Sequence, residues 1–130
     1  MKAVNTYTAN IYVGLRPGYE DVSEDVLKEN KHKVIRICQE YCDDVGLCVT
    51  ITDTEFIYTK GNEPGIIIGL INYPRFPSNV NDIRKLAIEL AQTIQPELKQ
   101  KRITIVFPDK TFMIGENGYE SNKENREDGD

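Results

Sequence analysis

The sequence predicts a single α+β domain in which strands and helices follow one another as βαββαβ. Three observations carry this. Residues 34–45 and 83–94 repeat apolar side chains every three or four positions, the period of an amphipathic helix. Four stretches rich in β-branched and aromatic residues, at 6–15, 47–59, 66–73 and 102–107, lie around those two. Gly and Pro cluster at the joins, as Pro17-Gly18, Gly46, Gly61, Pro64-Gly65 and Pro108.

The first strand, 6–15, stops at the turn pair Pro17-Gly18. Helix follows over 20–44. Ser23 offers a cap, and Glu24 and Asp25 suit the positive end of the helix dipole. Its apolar face carries Val34, Cys38, Tyr41, Cys42 and Val45, and Gly46 fits a left-handed cap. In the second strand, 47–59, Val49 and Ile51 alternate with Cys48, Thr50 and Thr52. Residues 60–65 read as a hairpin loop, with two glycines and a proline. The third strand, 66–73, is the most apolar part of the chain. Ser78 or Asn79 caps a second helix with the stripe Ile83, Leu86, Ala87, Leu90, Ala91 and Ile94, and Pro96 is expected to break it. A fourth strand spans 102–107 and a short fifth 111–114. Residues 116–130 hold no aliphatic side chain and read as an acidic disordered tail.

This order is the ferredoxin-like pattern: a four- to five-stranded antiparallel sheet with two helices on one face. Residues 1–115 form the domain and 116–130 the tail. The first and third strands are expected side by side and parallel at the centre, ending on one edge.

The third strand is apolar on both faces. Ile66, Ile68 and Leu70 point one way and Ile67 and Ile71 the other, and two helices cover only one face. Self-association through the open sheet face, as a homodimer or homotrimer, is therefore expected.

Charge narrows the function. The net charge is −5, and from Glu116 onward six acids face two bases, so the folded part is close to neutral. That argues against a nucleic-acid backbone binder. No apolar run approaches the roughly 18 residues of a membrane span, and the N-terminus lacks a signal core, so a cytoplasmic protein is expected. Cys38, Cys42 and Cys48 are odd in number and read as free thiols. With His32 as the single histidine they lack the spacing of a zinc site, and no metal or cofactor is expected. No phosphate-binding loop, dinucleotide fingerprint or nucleophile elbow occurs.

With the first and third strands parallel, the loops after both would meet at two helix starts, where unpaired N–H groups attract anions. Those loops carry Arg16, Tyr19, Asn72, Tyr73, Arg75 and Phe76. The first five are the expected ligand-binding residues, a pocket for a phosphate or carboxylate. Glu63, stiffened by Pro64, would lie at the opposite edge, and only an intersubunit cleft would bring it to the arginines.

Ile11-Tyr12-Val13-Gly14-Leu15, followed by Asp21-Val22-Ser23-Glu24-Asp25-Val26-Leu27, resembles the start of an RNA-recognition motif. The resemblance implies the same fold order, with Tyr12 stacking on a base of single-stranded RNA.

The expected function is a non-catalytic module that binds a small anionic ligand or a protein partner. One alternative is an enzyme acting on an anionic small molecule in an intersubunit cleft, with Glu63 or a tyrosine as its acid–base group. The other is the RNA binder.

Overall fold

The computed structural model describes residues 1–75 and 77–115, together with the backbone of Gly118 and Tyr119. The order is β1 (Thr8–Gly14), α1 (Glu24–Val45), β2 (Val49–Tyr58), β3 (Gly61–Ile71), α2 (Val80–Glu97), β4 (Arg102–Val106), β5 (Thr111–Gly115) and β6 (Gly118–Tyr119). Among the described residues they form one antiparallel sheet of order β2-β3-β1-β4-β5-β6. The α+β, ferredoxin-like class expected from the sequence is what the chain adopts. Gly118 and Tyr119 pair with β5, although they fall in the stretch expected to be disordered. The rest of the expected tail lies outside the described residues.

Local chemistry places the helix ends. The Ser23 side chain accepts the N–H of Val26 at 3.3 Å, opening α1. Gly46 closes it in the left-handed conformation, with φ 72°, and donates to the carbonyl of Cys42. Asn79 opens α2 by accepting the N–H of Asp82 at 2.8 Å. Pro96 does not break α2 early. The helix runs one residue further, to Glu97, because a proline in the last turn removes one hydrogen bond without obstructing a long continuation.

The core lies between the helices and one face of the sheet. Ala9, Ile11 and Val13 of β1, Ile66, Ile68 and Leu70 of β3, and Ile103 and Ile105 of β4 pack under Ile83, Ala87, Leu90, Ala91 and Ile94 of α2 and Val34, Ile37 and Cys38 of α1. The full burial of Ile11, Ile66 and Ile68 stabilises the fold by roughly 1.5–3 kcal/mol per side chain.

Two expectations about β3 are corrected. Its first five residues are strand rather than loop: β2 and β3 pair from Tyr58↔Gly61 onward, joined by Thr59 and Lys60 alone. Lys60 carries a φ of 60°, a left-handed conformation at the second residue of the turn. Further, β1 and β3 run antiparallel, with Gly14 opposite Gly65 and Thr8 opposite Ile71. The crossover through α1 sets β2 parallel to β1, and the hairpin then reverses the chain. The strand slotted between them must oppose both.

Candidate functional site

The antiparallel centre redistributes the expected site residues. Arg16 and Tyr19 follow β1 at the end where β3 begins. Asn72, Tyr73 and Arg75 follow β3 at the end where β1 begins, about 20 Å away along the strands. The two arginines do not share a pocket within the subunit. Asn72 stitches its own loop, donating to the Asn5 carbonyl and accepting the Ser78 N–H, each at 2.8 Å. The neighbouring Cys48 thiol raises the proton affinity of the Tyr73 hydroxyl. Arg75 is exposed, as is Tyr19 at 56%. A depression of roughly 320 Å³ beside Asn72, bounded by Val4, Thr6, Ile71 and Pro74, has no charged side chain in its lining. Phe76 lies outside the described residues.

The same geometry brings Arg16 and Glu63 together. The backbone N–H of Arg16 donates to Glu63 Oε2 at 3.1 Å, and the Arg16 guanidinium donates to the Asn62 carbonyl at 2.6 Å. No intersubunit arrangement is needed for this meeting, contrary to the sequence-based expectation. Glu63 is 5% exposed, and among the described residues it is the one buried carboxylate. Burial raises the proton affinity of the carboxyl above its ordinary value, and the Arg16 N–H and guanidinium oppose that shift without cancelling it.

Glycines make the space. The Glu63 carboxylate lies directly over Gly14, so that a methyl group there would overlap Oε2 and sit 2.8 Å from Cδ. Gly65 is roofed in the same way by the ring of Phe56. Phe56 is the β2 register partner of Glu63, and its ring crosses β3 to within 6.4 Å of the Tyr12 ring on β1. The alternation along each strand puts Tyr12, Gly14, Phe56, Glu63 and Gly65 on the sheet face that no helix covers. Tyr12, to which the resemblance to an RNA-recognition motif drew attention, lies on that open face.

From the far side comes Gln100, in the turn between α2 and β4. It is buried, and its Nε2 donates to the Arg16 carbonyl at 2.7 Å. The turn is pinned by Gln95, whose Nε2 reaches the carbonyls of Gln100 and Lys101 at 3.2 Å. Lys99 precedes it with a φ of 54°. The site is thus a buried carboxyl over Gly14, with the Phe56 ring beside it over Gly65, the Tyr12 ring beyond that, and a buried amide near Gly14. Such a set favours a ligand with both an apolar ring and positive charge.

The thiols are not part of it. Burial pushes the Cys38 thiol up to about 12, so it is inert near neutral pH. No cluster of three or more His, Cys, Asp or Glu with metal-site geometry occurs among the described residues. No helix among them is long and apolar enough to cross a membrane.

Two solved structures share this fold. Both are of a phage SAM lyase, one in the apo state and one in complex with S-methyl-5'-thioadenosine. The apo structure superposes with a TM-score of 0.63 and 16% identity, over 88% of this chain and 92% of that one. The complex superposes with a TM-score of 0.65 and 14% identity, over 92% and 97%. No family model matches the chain, and no curated protein matches it in sequence. At such identity the likeness is one of fold. It nevertheless overturns the expectation of a non-catalytic binding module, because both of these structures are of an enzyme.

Sequence reasoning named Arg16 and Glu63 but set them apart, and it missed Gly14, Phe56, Gly65 and Gln100 as site residues. The signal for three of these was present. Once β3 is drawn antiparallel to β1, Gly14 and Gly65 fall opposite each other, and Phe56 falls one pair along. Gln100 had no signal, since a lone glutamine after a helix reads as surface.

Proposed function

We propose that this protein is a lyase that cleaves S-adenosylmethionine, with Glu63 at the sulfonium end of the substrate. The observation that carries the reading is the one buried carboxyl among the described residues, on an open face lined by Tyr12 and Phe56, in a fold shared with the SAM lyase structures. The substrate class moves from anionic to cationic, since S-adenosylmethionine carries a permanent positive charge on sulfur. A carboxylate and two aromatic faces recognise such a cation, and the rings also offer apolar surface to an adenine.

S-methyl-5'-thioadenosine is what remains when the bond from sulfur to the methionyl γ-carbon breaks and sulfur keeps the electron pair. A lyase breaks that bond without adding water. Glu63, with its raised proton affinity, suits the part of base. It takes a proton from the carbon next to the γ-carbon, that C–H pair becomes the new double bond, and the thioether departs uncharged. The sulfur's charge disappears in the transition state, so holding it equally throughout would tighten binding without raising the rate. The basicity of Glu63 is therefore what the chemistry uses.

The open face also supports self-association, as a homodimer or homotrimer. Tyr58, Ile71 and Met113 stand 52%, 43% and 47% exposed on it. A second copy would close the Glu63 site from above and exclude water from it. Arg16, Tyr19, Asn72, Tyr73 and Arg75 belong to this reading as ligand-binding groups only where a neighbouring subunit brings the two ends together.

The deciding experiment incubates the purified protein with S-adenosylmethionine and follows the products by proton NMR. Methylthioadenosine together with vinyl protons is the expected result. Absence of any methylthioadenosine removes the lyase reading. Methylthioadenosine accompanied by a lactone, which is formed by attack of the substrate's own carboxylate, removes Glu63 as the base.

A further inference from the structure

We infer that Asn30, a buried residue of α1, is a positioning residue that aims Glu63 through a single peptide bond. Its part in catalysis rests on the proposed reading of Glu63 as the base, whereas its hold on the carboxyl does not.

The peptide that joins Leu15 to Arg16 is bonded at both of its ends. Asn30 Nδ2 donates to its carbonyl, the Leu15 oxygen, at 2.8 Å. Its N–H, that of Arg16, donates to Glu63 Oε2 at 3.1 Å. A reversed Asn30 amide would set oxygen against oxygen, so the partner fixes which end donates. The peptide group is planar and trans, with its N–H and carbonyl pointing in opposite directions. A bond that holds the carbonyl therefore also holds the N–H on its line to the carboxyl. Polarisation acts in the same sense, since a donor on the carbonyl makes the N–H of that peptide a stronger donor.

The neighbouring peptides are tied as well. On one side, the Leu15 N–H donates to the Pro64 carbonyl at 3.1 Å. On the other, the Arg16 carbonyl accepts from Gln100 at 2.7 Å, and the Gly18 N–H donates to the Lys99 carbonyl at 3.0 Å. Asn30 is the unexpected member of this set. It heads the buried stripe Asn30, Val34, Ile37 and Cys38 of α1, and it is 6% exposed. Asparagine is a poor helix former, and an apolar side chain there would bury its surface without a polar group to satisfy. Such a side chain would, however, leave the Leu15 carbonyl without this donor.

An N–H aimed at a carboxylate favours the ionised form, which is the form a base needs. The other charged groups near Glu63 are the Arg16 guanidinium and Asp21 after β1, Arg102 on the open face of β4, and Lys99 and Lys101 in the turn before β4. Tyr12 from β1 and Tyr58 from β2 are uncharged at neutral pH. Removing the Asn30 amide changes none of these charges. A shift in the Glu63 midpoint on its removal therefore reads the aim of the Arg16 N–H.

The test begins without ligand. Carboxyl-labelled protein is titrated by carbon-13 NMR, with the Glu63 signal assigned by its loss in Glu63→Gln. In Asn30→Leu, close in bulk and without the donor, the midpoint is expected to rise, a gain of roughly three- to tenfold in proton affinity. An unchanged or lower midpoint overturns the proposal. Gly46→Ala, which strains the far end of α1, is expected to leave the midpoint in place. An equal rise there overturns the proposal too, because general loosening would then explain both. Wild type supplies a second readout should Asn30→Leu fail to fold. The Arg16 amide proton and the Asn30 side-chain amide protons, as links of one chain of bonds, are expected to shift with the Glu63 midpoint. Either set staying still through that midpoint overturns the proposal.

Turnover then ties the aim to the reaction. In Asn30→Leu the acid limb of kcat/KM for S-adenosylmethionine is expected to move up in pH by the same factor as the carboxyl midpoint. A limb that keeps its wild-type position while the carboxyl midpoint moves overturns the catalytic part. If wild type does not cleave S-adenosylmethionine, the lyase reading fails by itself, and the titration alone decides the hold of Asn30 on Glu63.

Discussion

Glu63 Oε2 accepts the backbone N–H of Arg16 at 3.1 Å, although the two residues are 47 positions apart in the chain. The bond crosses from the third strand to the end of the first. It places the one buried carboxyl of the described residues beside the loop in which α1 is prepared.

Glu63→Gln keeps the shape and removes the charge. Turnover of S-adenosylmethionine is expected to fall by at least about 100-fold, the usual contribution of a positioned acid–base group. Stability should move the other way. A carboxyl whose folded proton affinity is raised contributes stability that is complete below its ordinary midpoint and lost as pH rises through the folded one. At pH 7 the variant is therefore expected to melt above wild type, and the gap should close below about pH 4.5. Thermal melts across pH check this, and a variant that melts lower at pH 7 contradicts it.

Gly14→Ala and Gly65→Ala separate function from fold. An added methyl at Gly14 meets the movable end of Glu63, whereas at Gly65 it lies 2.7 Å from the fixed carbonyl of Val13 and against the Phe56 ring. Gly65→Ala is expected to cost about 1–3 kcal/mol in a urea titration. Gly14→Ala is expected to lose activity with a smaller loss of stability, because the carboxylate rather than the backbone gives way.

Gly46→Ala serves as a control far from the site. The position requires φ 72°, and the substitution should cost about 1 kcal/mol of stability while leaving turnover of the folded protein unchanged.

Asp109→Asn probes the ion pair over the aromatic cluster. Arg84 pairs with Asp109 and lies 5.0 Å from the Phe107 ring centre and 5.9 Å from that of Tyr7. The hydrogen bond from Arg84 holds the Asp109 carboxyl below its ordinary 3.8. Its stabilising effect is therefore present above that value and lost as pH falls below it. Wild type and Asp109→Asn are expected to differ in urea midpoint at pH 7 and to converge in acid. A difference that persists at pH 2 would locate the effect elsewhere.

Ile71→Lys tests self-association. Ile71 is 43% exposed on the open face, so a charge there should leave the subunit folded. Sedimentation velocity is expected to show wild type as an oligomer and the variant shifted toward monomer. A wild type that sediments as monomer at working concentration removes the association and the covered site with it.

The amino-acid sequence by itself determined the element types and the apolar stripes of the helices. Helical and strand periods are written locally, and the stripe Ile83, Ala87, Leu90, Ala91 and Ile94 could bury its apolar surface in only one way. The caps at Ser23, Gly46 and Asn79 were legible for the same reason, since each acts within a few residues of itself. What the tertiary structure alone decided was direction. Nothing in the composition of β3 says which way it runs against β1, because an apolar strand packs equally well either way. The turn at Thr59 and Lys60 sets β3 against β2, and the placing of β3 between β2 and β1 then decides whether Arg16 meets Arg75 or Glu63. Gln100 lay further still from local pattern. Its amide matters only because Gln95 and the Arg16 carbonyl hold it against a glycine from the far end of the chain, and contacts of that span exist only once the chain has folded.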